Sequence, residues 1–301
     1  MTAGRALLAT LAGLALALGG CGTPSGEPAT SKRSSRLVDF TKKPPFVNAL
    51  DIDPQTDEFL LTTNRGFFRI GPGTGKVTRV RGTISAQGKR STIGTFLELL
   101  AVGPGRLIGS GHPDQQGTLP SFLGFITSDD GGKTWSVVSR LGNADLHKIV
   151  RIHDRMYAFD AVLSAILISG DGGRTFTESF TPRGLIIDFE VDPANPKRIV
   201  ASNDSELFRS TDTGASWRPI DRRDRIRLSW PAPDALYRAL KDGTVERSSD
   251  GGDTFKAAGH VDGEPYKFKT ISEDELYLAL SDGTIMHTTD GAKTWKAVFR
   301  P

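Results

Sequence analysis

The sequence is poor in cysteine. Cys21 is the only one in 301 residues, so no disulfide can form within the chain. A fold of this length must then rest on its apolar core. An excess of one charge is also missing: 38 basic residues face 35 acidic ones, for a net charge of +3. That balance excludes the strongly basic footprint of a nucleic-acid-binding surface. No segment sustains a helical period, which excludes a helical bundle and the alternating pattern of α/β folds. Long apolar runs are absent except for one, "ALLATLAGLALAL" at residues 6–18.

That run is too short to span a bilayer comfortably and has the length of a signal-peptide core. Arg5 is the only charge before it, and it ends in Leu18-Gly19-Gly20-Cys21. Small residues before a cysteine suit a peptidase that needs a slim backbone. "LGGC" resembles the lipobox of bacterial lipoproteins. The resemblance implies a signal peptide over residues 1–20, a mature chain starting at a lipidated Cys21, and residence on the outer face of the cytoplasmic membrane. Residues 22–35, "GTPSGEPATSKRSS", are rich in Gly, Pro, Ser and Thr and carry no apolar pattern. They read as a flexible tether reaching about 20 Å. The expected organisation is a signal peptide over 1–20, a lipidated cysteine and tether over 21–40, and one folded domain over 41–301.

What is abundant is an internal repeat. "TSDDGGKTW" fits S-x-D-x-G-x-T-W and recurs, with the aspartates Asp130, Asp171, Asp212, Asp250 and Asp290 stepping by 41, 41, 38 and 40 residues. The aromatic closing each copy is Trp135, Phe176, Trp217, Phe255 or Trp295. A degenerate copy, "GPGTGKVT", lies at 71–78 and has lost the aspartate. Four short strands fit each period. In the last unit they are "YKFKTIS", "ELYLALS", "TIMHTT" and "TWKAVF". A 40-residue period with four strands per unit predicts an all-β propeller of four-stranded antiparallel blades. Six units fit between Phe46 and Phe299, so six blades are expected; a seventh fits only if residues 37–40 and the segment "SAQGKRSTIG" hide a partial one. In each copy the aspartate can accept backbone N–H groups of a turn, the glycines allow positive φ, and the aromatic packs between sheets.

These boxes resemble the Asp-box, or BNR, repeats of the sialidase-like propellers, over about residues 46–301. The resemblance implies boxes that build the fold and do no chemistry. A calcium loop needs six or more oxygens, and each copy offers one or two carboxylates. The sialidase machinery is not recognisable. Arg69 in Phe68-Arg69-Ile70-Gly71 has a repeat equivalent in Arg209, and Tyr157, Tyr237 and Tyr277 occupy equivalent second-strand positions. Only Tyr266 breaks that pattern. A narrower resemblance runs through "GSGHPDQQGTLPSFLGFITSDDGGKTW" and "GNADLHKIVRIHDRMYAFD", to bacterial propeller lipoproteins labelled glycosyl-hydrolase-like. The His-x-His-Gly-Leu run of that set is replaced here by Phe46-Val47-Asn48-Ala49-Leu50.

In a propeller the first strands line the channel and loops at one end form the binding face. Asn48 starts the first such strand. Asp188 and Glu190 alternate along one first strand, Arg225 and Arg227 along the next, and Lys267 and Lys269 along the last. A period of two puts each pair on one face. The expected arrangement sets basic residues of the last two units opposite the carboxylates of the unit before, around a mouth for an anionic or zwitterionic ligand. His112, Asp114, Asp145 and His147, with Asp160, form the candidate acid/base or metal site; His112 and His147 are its candidate ligands. Asp188 and Glu190 point the same way from one strand, which is poor geometry for flanking a glycosidic bond.

The expectation is a lipid-anchored, extracytoplasmic propeller that acts as a ligand-binding or assembly module. It would take a cell-surface ligand, glycan or protein, with the membrane as partner through its lipid, and neither nucleic acid nor a cofactor. A glycoside hydrolase on a sialidase-like scaffold and a metal-handling lipoprotein are the alternatives.

Overall fold

The computed structural model describes residues 46–114, 118–223 and 225–301. Cys21 and the proposed signal and tether lie outside the described residues. Every regular element described is a strand. The first sheet comprises Val47–Ile52 (β1), Phe59–Thr63 (β2), Gly66–Ile70 (β3) and Val77–Val80 (β4). Next come Thr83–Ala86 (β5), Lys89–Gly103 (β6), Arg106–Pro113 (β7), Phe125–Ser128 (β8) and Thr134–Ser139 (β9). The third sheet comprises Leu146–Ile152 (β10), Arg155–Asp160 (β11), Ala165–Ser169 (β12) and Thr177–Ser179 (β13). The fourth comprises Asp188–Asp192 (β14), Asn195–Ser202 (β15), Leu207–Ser210 (β16) and Arg218–Asp221 (β17). Arg227–Ala232 (β18), Ala235–Ala239 (β19), Thr244–Ser248 (β20) and Lys256–His260 (β21) form the fifth. Pro265–Thr270 (β22), Leu276–Leu280 (β23), Ile285–Thr288 (β24) and Lys296–Phe299 (β25) form the last.

The chain thus builds five four-stranded antiparallel blades, not the six or seven expected. The remaining segment, β5 to β9, closes on itself because β5 runs parallel to β9, Ile84 opposite Trp135. The inserted "SAQGKRSTIG" is the physical reason. It forms the β5–β6 turn, lengthens β6 to 15 residues and supplies an extra strand that covers the edge of β9. The inner strands β1, β6, β10, β14, β18 and β22 touch in succession, and β22 returns to β1.

The repeated turns join the third and fourth strands of each unit. In the turn at 128–135, Asp130 Oδ1 accepts from Lys133 N at 3.0 Å and Thr134 N at 2.9 Å, while Oδ2 accepts from Thr134 Oγ1 at 2.6 Å. Ser128 Oγ donates to the same carboxylate at 2.9 Å and accepts from Gly132 N at 2.9 Å. Asp171, Asp212, Asp250 and Asp290 accept equivalent bonds. The second glycine is needed twice over. Gly132 has φ +90°, and a Cβ there would come within 2.6 Å of the Phe67 ring of the neighbouring sheet. Ala292 holds that position in the last turn, fully buried at φ +77°.

The core sits between adjacent sheets. Trp135 packs with Phe67, Phe96 and Ile84 between the first sheet and the closed one, its Nε1 donating to Gly132 O at 2.8 Å. Phe176, Trp217, Phe255 and Trp295 are partly buried against the corresponding clusters. Tyr157, Tyr237 and Tyr277 are buried in second strands, as expected of packing residues.

Candidate functional site

Strand register places the channel residues in tiers. The serine or threonine opening each turn pairs with a second-strand residue: Ser128 with Leu107, Ser169 with Met156, Ser210 with Ile199, Ser248 with Leu236, Thr288 with Leu276. Three residues further along, each second strand faces Glu98, Lys148, Asp188, Arg227 or Lys267 in turn. These five side chains share one tier; Ala49, opposite Thr62, completes it. The next tier, two residues on, holds Leu100, Val150, Glu190, Ser229, Lys269 and Asp51.

The first tier depends on bulges. The pairing shifts between Leu146 and Lys148, between Phe96 and Glu98, and between Pro265 and Lys267. Each shift changes which side chains face inward. In β10 it turns Lys148, Val150 and Ile152 toward the channel and leaves His147 at the mouth.

The inward charges pair across sheets. Lys148 Nζ lies 2.9 Å from Asp188 Oδ1 and 3.0 Å from Glu190 Oε1. Lys269 Nζ lies 2.6 Å from Asp51 Oδ1. Burial works against the Lys148 charge, but Asp188, Glu190 and Glu98 outweigh it and raise its pKa. Burial also opposes ionisation of Asp188, yet Lys148, Lys267 and the Leu228 N–H at 3.0 Å hold that carboxyl low. One ammonium cannot hold two carboxylates equally. Glu190 is pushed up, first by burial and then by the Asp188 charge. Glu98 is pushed up by burial. The Lys267 ammonium is pushed down by burial, and it makes no hydrogen bond or ion pair among the described residues.

The direct partner of Asp188 and Glu190 is Lys148, from the preceding unit; of the basic residues expected opposite them, Lys267 and Arg227 act on Asp188 only without direct contact. The expectation for Arg225 is corrected. It lies before β18 with φ +53° and approaches Glu264 only at 3.9 Å, so it shares no strand face with Arg227. Arg227 is buried, its guanidinium 4.7 Å over the Tyr266 ring, with Nε lacking a hydrogen-bond partner among the described residues.

A cavity of about 300 Å³ runs along this channel. Glu98, Lys148 and Lys267 lie at its first-tier end; Ile152, Pro231 and Ile271 line it where the inner strands finish.

The opposite end, where the inner strands begin, carries the sequence-predicted histidines. His147 Nε2 lies 3.1 Å from Asp145 Oδ2, and His112 Nε2 lies 3.6 Å from Asp145 Oδ1. His112 Nδ1 is 2.8 Å from Ser121 O, which orients the ring. The structure thus brings His112, Asp145 and His147 together. Asp114 is tied instead to Thr92 Oγ1 at 3.2 Å, and Asp160 accepts Asp145 N and Val162 N, holding a turn. Among the described residues no group of three or more His, Cys, Asp or Glu side chains is arranged to hold a metal ion. The mouth also carries Phe46, packed edge-on against Tyr266 at 4.7 Å.

Beside this mouth lie exposed apolar residues, on two neighbouring segments, that the sequence did not single out. Val162 and Leu163, in the turn between β11 and β12, are 52% and 43% exposed, and Phe180 and Leu185, after β13, are 72% and 63% exposed. Thr181 Oγ1 donates to Ser164 O at 2.7 Å and fastens the two segments together. The signal was available: Val162-Leu163 sits where other units have polar turns.

No protein-family model matches the chain. Over 96 residues it is 29% identical to the dispase autolysis-inducing protein of Streptomyces mobaraensis, covering 32% of this chain and a quarter of that protein's length. Its fold resembles the WD40 propeller domain of Doa1, with TM-score 0.58, 10% identity, and 85% of this chain and 83% of that one covered. It also resembles YCF48 bound to D1 peptide, with TM-score 0.51, 12% identity, and 82% and 91% covered. An ancestral GH74 enzyme matches at TM-score 0.50 and 12% identity over 85% of this chain and 39% of the enzyme. At these identities the likeness establishes the propeller scaffold alone, one that carries both binding and enzymatic proteins.

Proposed function

We propose that the chain is a lipid-anchored, extracytoplasmic β-propeller whose mouth face docks a protein or peptide segment. The observation that carries this reading is the exposure of Val162, Leu163, Phe180 and Leu185, on two segments joined by the Thr181–Ser164 bond, beside the mouth with His112, Asp145 and His147. Contiguous exposed apolar side chains rimmed by polar ones mark interaction sites. His147, 45% exposed, and His112 at the mouth give a docked segment polar groups to bond. YCF48, a protein of similar fold, binds a peptide. The turns read as Asp boxes, consistent with their carboxylate-centred hydrogen bonds, and the lipid anchor rests on "LGGC".

A glycosidase reading is weaker. Asp188 and Glu190 both contact Lys148 Nζ, so a lysine stands where a scissile bond would have to lie. The candidate metal reading has His112 and His147 sharing the single carboxylate of Asp145.

Photo-crosslinking from Leu163 and Phe180 in cells tests the docking reading. A discrete adduct that disappears in Phe180→Glu and Leu185→Glu, both exported normally, supports it; crosslinking that is diffuse and indifferent to these changes sinks it. Lipid labelling lost in Cys21→Ser tests the anchor, and turnover of any fluorogenic glycoside would reopen the enzyme reading.

A further inference from the structure

The cavity at the other end of the channel has a different character from the mouth. Of the ionisable groups in its two tiers, Lys148 is held by Asp188 and Glu190, and Lys269 by Asp51. Lys267 Nζ has no partner among the described residues, although the side chain lines the cavity. Glu98 lines it too and is more than nine-tenths buried. Its Oε1 accepts only the N–H of Leu99 at 3.1 Å, and Oε2 has no hydrogen-bond partner among the described residues. Lys267 is half-buried, with Glu98 and Asp188 near but no direct ion pair among the described residues, so its ammonium keeps donor capacity for the cavity. Toward the ends of the inner strands the lining turns apolar, with Val150, Ile152, Pro231 and Ile271.

We infer that this cavity binds a small organic monocarboxylate with an apolar body, its carboxylate on Lys267 Nζ and its body against Val150, Ile152, Pro231 and Ile271. One ammonium without a direct partner among the described residues sets the limit of one carboxylate. Asp51, Glu98, Asp188 and Glu190 face Lys148, Arg227, Lys267 and Lys269, so the two tiers are neutral when all are ionised. Burial pushes the Glu98 pKa up and the Lys267 pKa down, so an added carboxylate favours the charged form of Lys267. Lys267 donates an N–H to that carboxylate in a bond of the strong, charge-assisted kind. A dianion such as sulfate would meet the paired carboxylate of Glu190 with charge to spare. About 300 Å³ is the lower end of the range for small-ligand sites. The site stands apart from the docking face, because it lies where the inner strands end.

The test is calorimetric titration of the full chain in a phosphatidylcholine nanodisc, with empty nanodiscs as the blank. Benzoate is the probe; benzyl alcohol, benzylamine, acetate and sulfate are the comparisons. Benzoate should bind at least about ten-fold more tightly than the alcohol, acetate or sulfate, the size expected of one charge-assisted bond or of a buried ring. Lys267→Met should weaken benzoate by a similar factor and Lys267→Arg should retain it. Lys241→Met, an exposed control, should leave it unchanged. Lys267→Met removes a half-buried charge that has no direct ion pair among the described residues, so its melting temperature should not fall and loss of binding cannot be blamed on unfolding. No benzoate heat, equal binding of benzyl alcohol or sulfate, or full binding by Lys267→Met would each overturn the inference. None of these outcomes bears on crosslinking from Phe180, so the two readings fail separately.

Discussion

Lys269 on β22 reaches Asp51 on β1 with Nζ 2.6 Å from Oδ1, joining the last inner strand to the first. Asp51 does more than pair. Its Oδ2 accepts Ala101 N of β6 at 2.7 Å and its Oδ1 accepts Ile52 N at 2.9 Å, so one buried carboxylate ties three sheets. Asp51→Ala should therefore cost about 3 kcal/mol or more, the range for stranding the partners of a buried charge. Lys269 is partly exposed, and Lys269→Met should cost only about 1 kcal/mol after solvent screening. Urea unfolding of the two single variants and the double variant checks both values; equal costs would mean that the ion pair, not the backbone ties, is what matters.

The turn carboxylates predict an acid limit. In Asp171 and Asp212 the bonds from Thr175 and Ser216 hold the pKa at about 2, against an ordinary 3.8. In Asp130 slight burial pushes upward, but bonds from Thr134, Ser128 and Lys133 N bring it to about 2 as well. Folded values below unfolded ones mean that these groups stabilise the fold fully above about pH 4, and that this is lost as pH falls toward 2. The urea midpoint should be flat with respect to these groups from pH 7 to 5 and drop between pH 4 and 2. Asp171→Asn should be less stable at pH 7 and show a shallower drop. An unchanged slope would refute the role given to that carboxylate.

The turns were legible because they repeat. Asp130 through Asp290 announce themselves by period, and the position of Asp188 and Glu190 follows from simple alternation. Lys148 and Glu98 were not legible, because a one-residue bulge reverses the inward phase of β10 and β6 and nothing in "ADLHKIV" or "TFLELL" marks it. The same blindness let Arg225 pass as a strand residue when the strand begins only at Arg227. The fold of β5 onto β9 was hidden for another reason. It is a long-range parallel pairing made by an insertion, and the period is silent about what interrupts it.

Close contact between the last two blades gives a sharper stability test. A Cβ on Gly259 would stand 1.8 Å from Ala292 O, backbone that cannot swing aside. Gly170 sits in open space, with nothing within 4 Å of its Cβ position. Gly259→Ala should destabilise by about 2–3 kcal/mol or more, while Gly170→Ala should stay within about 0.5 kcal/mol. Thermal melting of the pair decides; a neutral Gly259→Ala would mean that β21 and the last turn lie further apart than they do here.

The channel lysines should respond in opposite directions although they share a tier. Lys148 compensates two buried carboxylates, so Lys148→Met strands both, at a cost of about 3–5 kcal/mol. Lys267 compensates none by direct contact, so Lys267→Met removes a desolvated charge and should leave the apo protein as stable or more so. Glu190 offers an internal control. Its pKa is raised by burial and by Asp188, so the ionised form is held at a cost that Glu190→Gln removes while keeping the shape. Placed on Lys148→Met, Glu190→Gln should recover part of the loss; placed alone it should be close to neutral, since Asp188 still holds the ammonium. Equilibrium unfolding of the four proteins at pH 7 gives the cycle. Equal losses for Lys148→Met and Lys267→Met would mean that the tier is one shared network, and that Lys267 is not held free for a ligand.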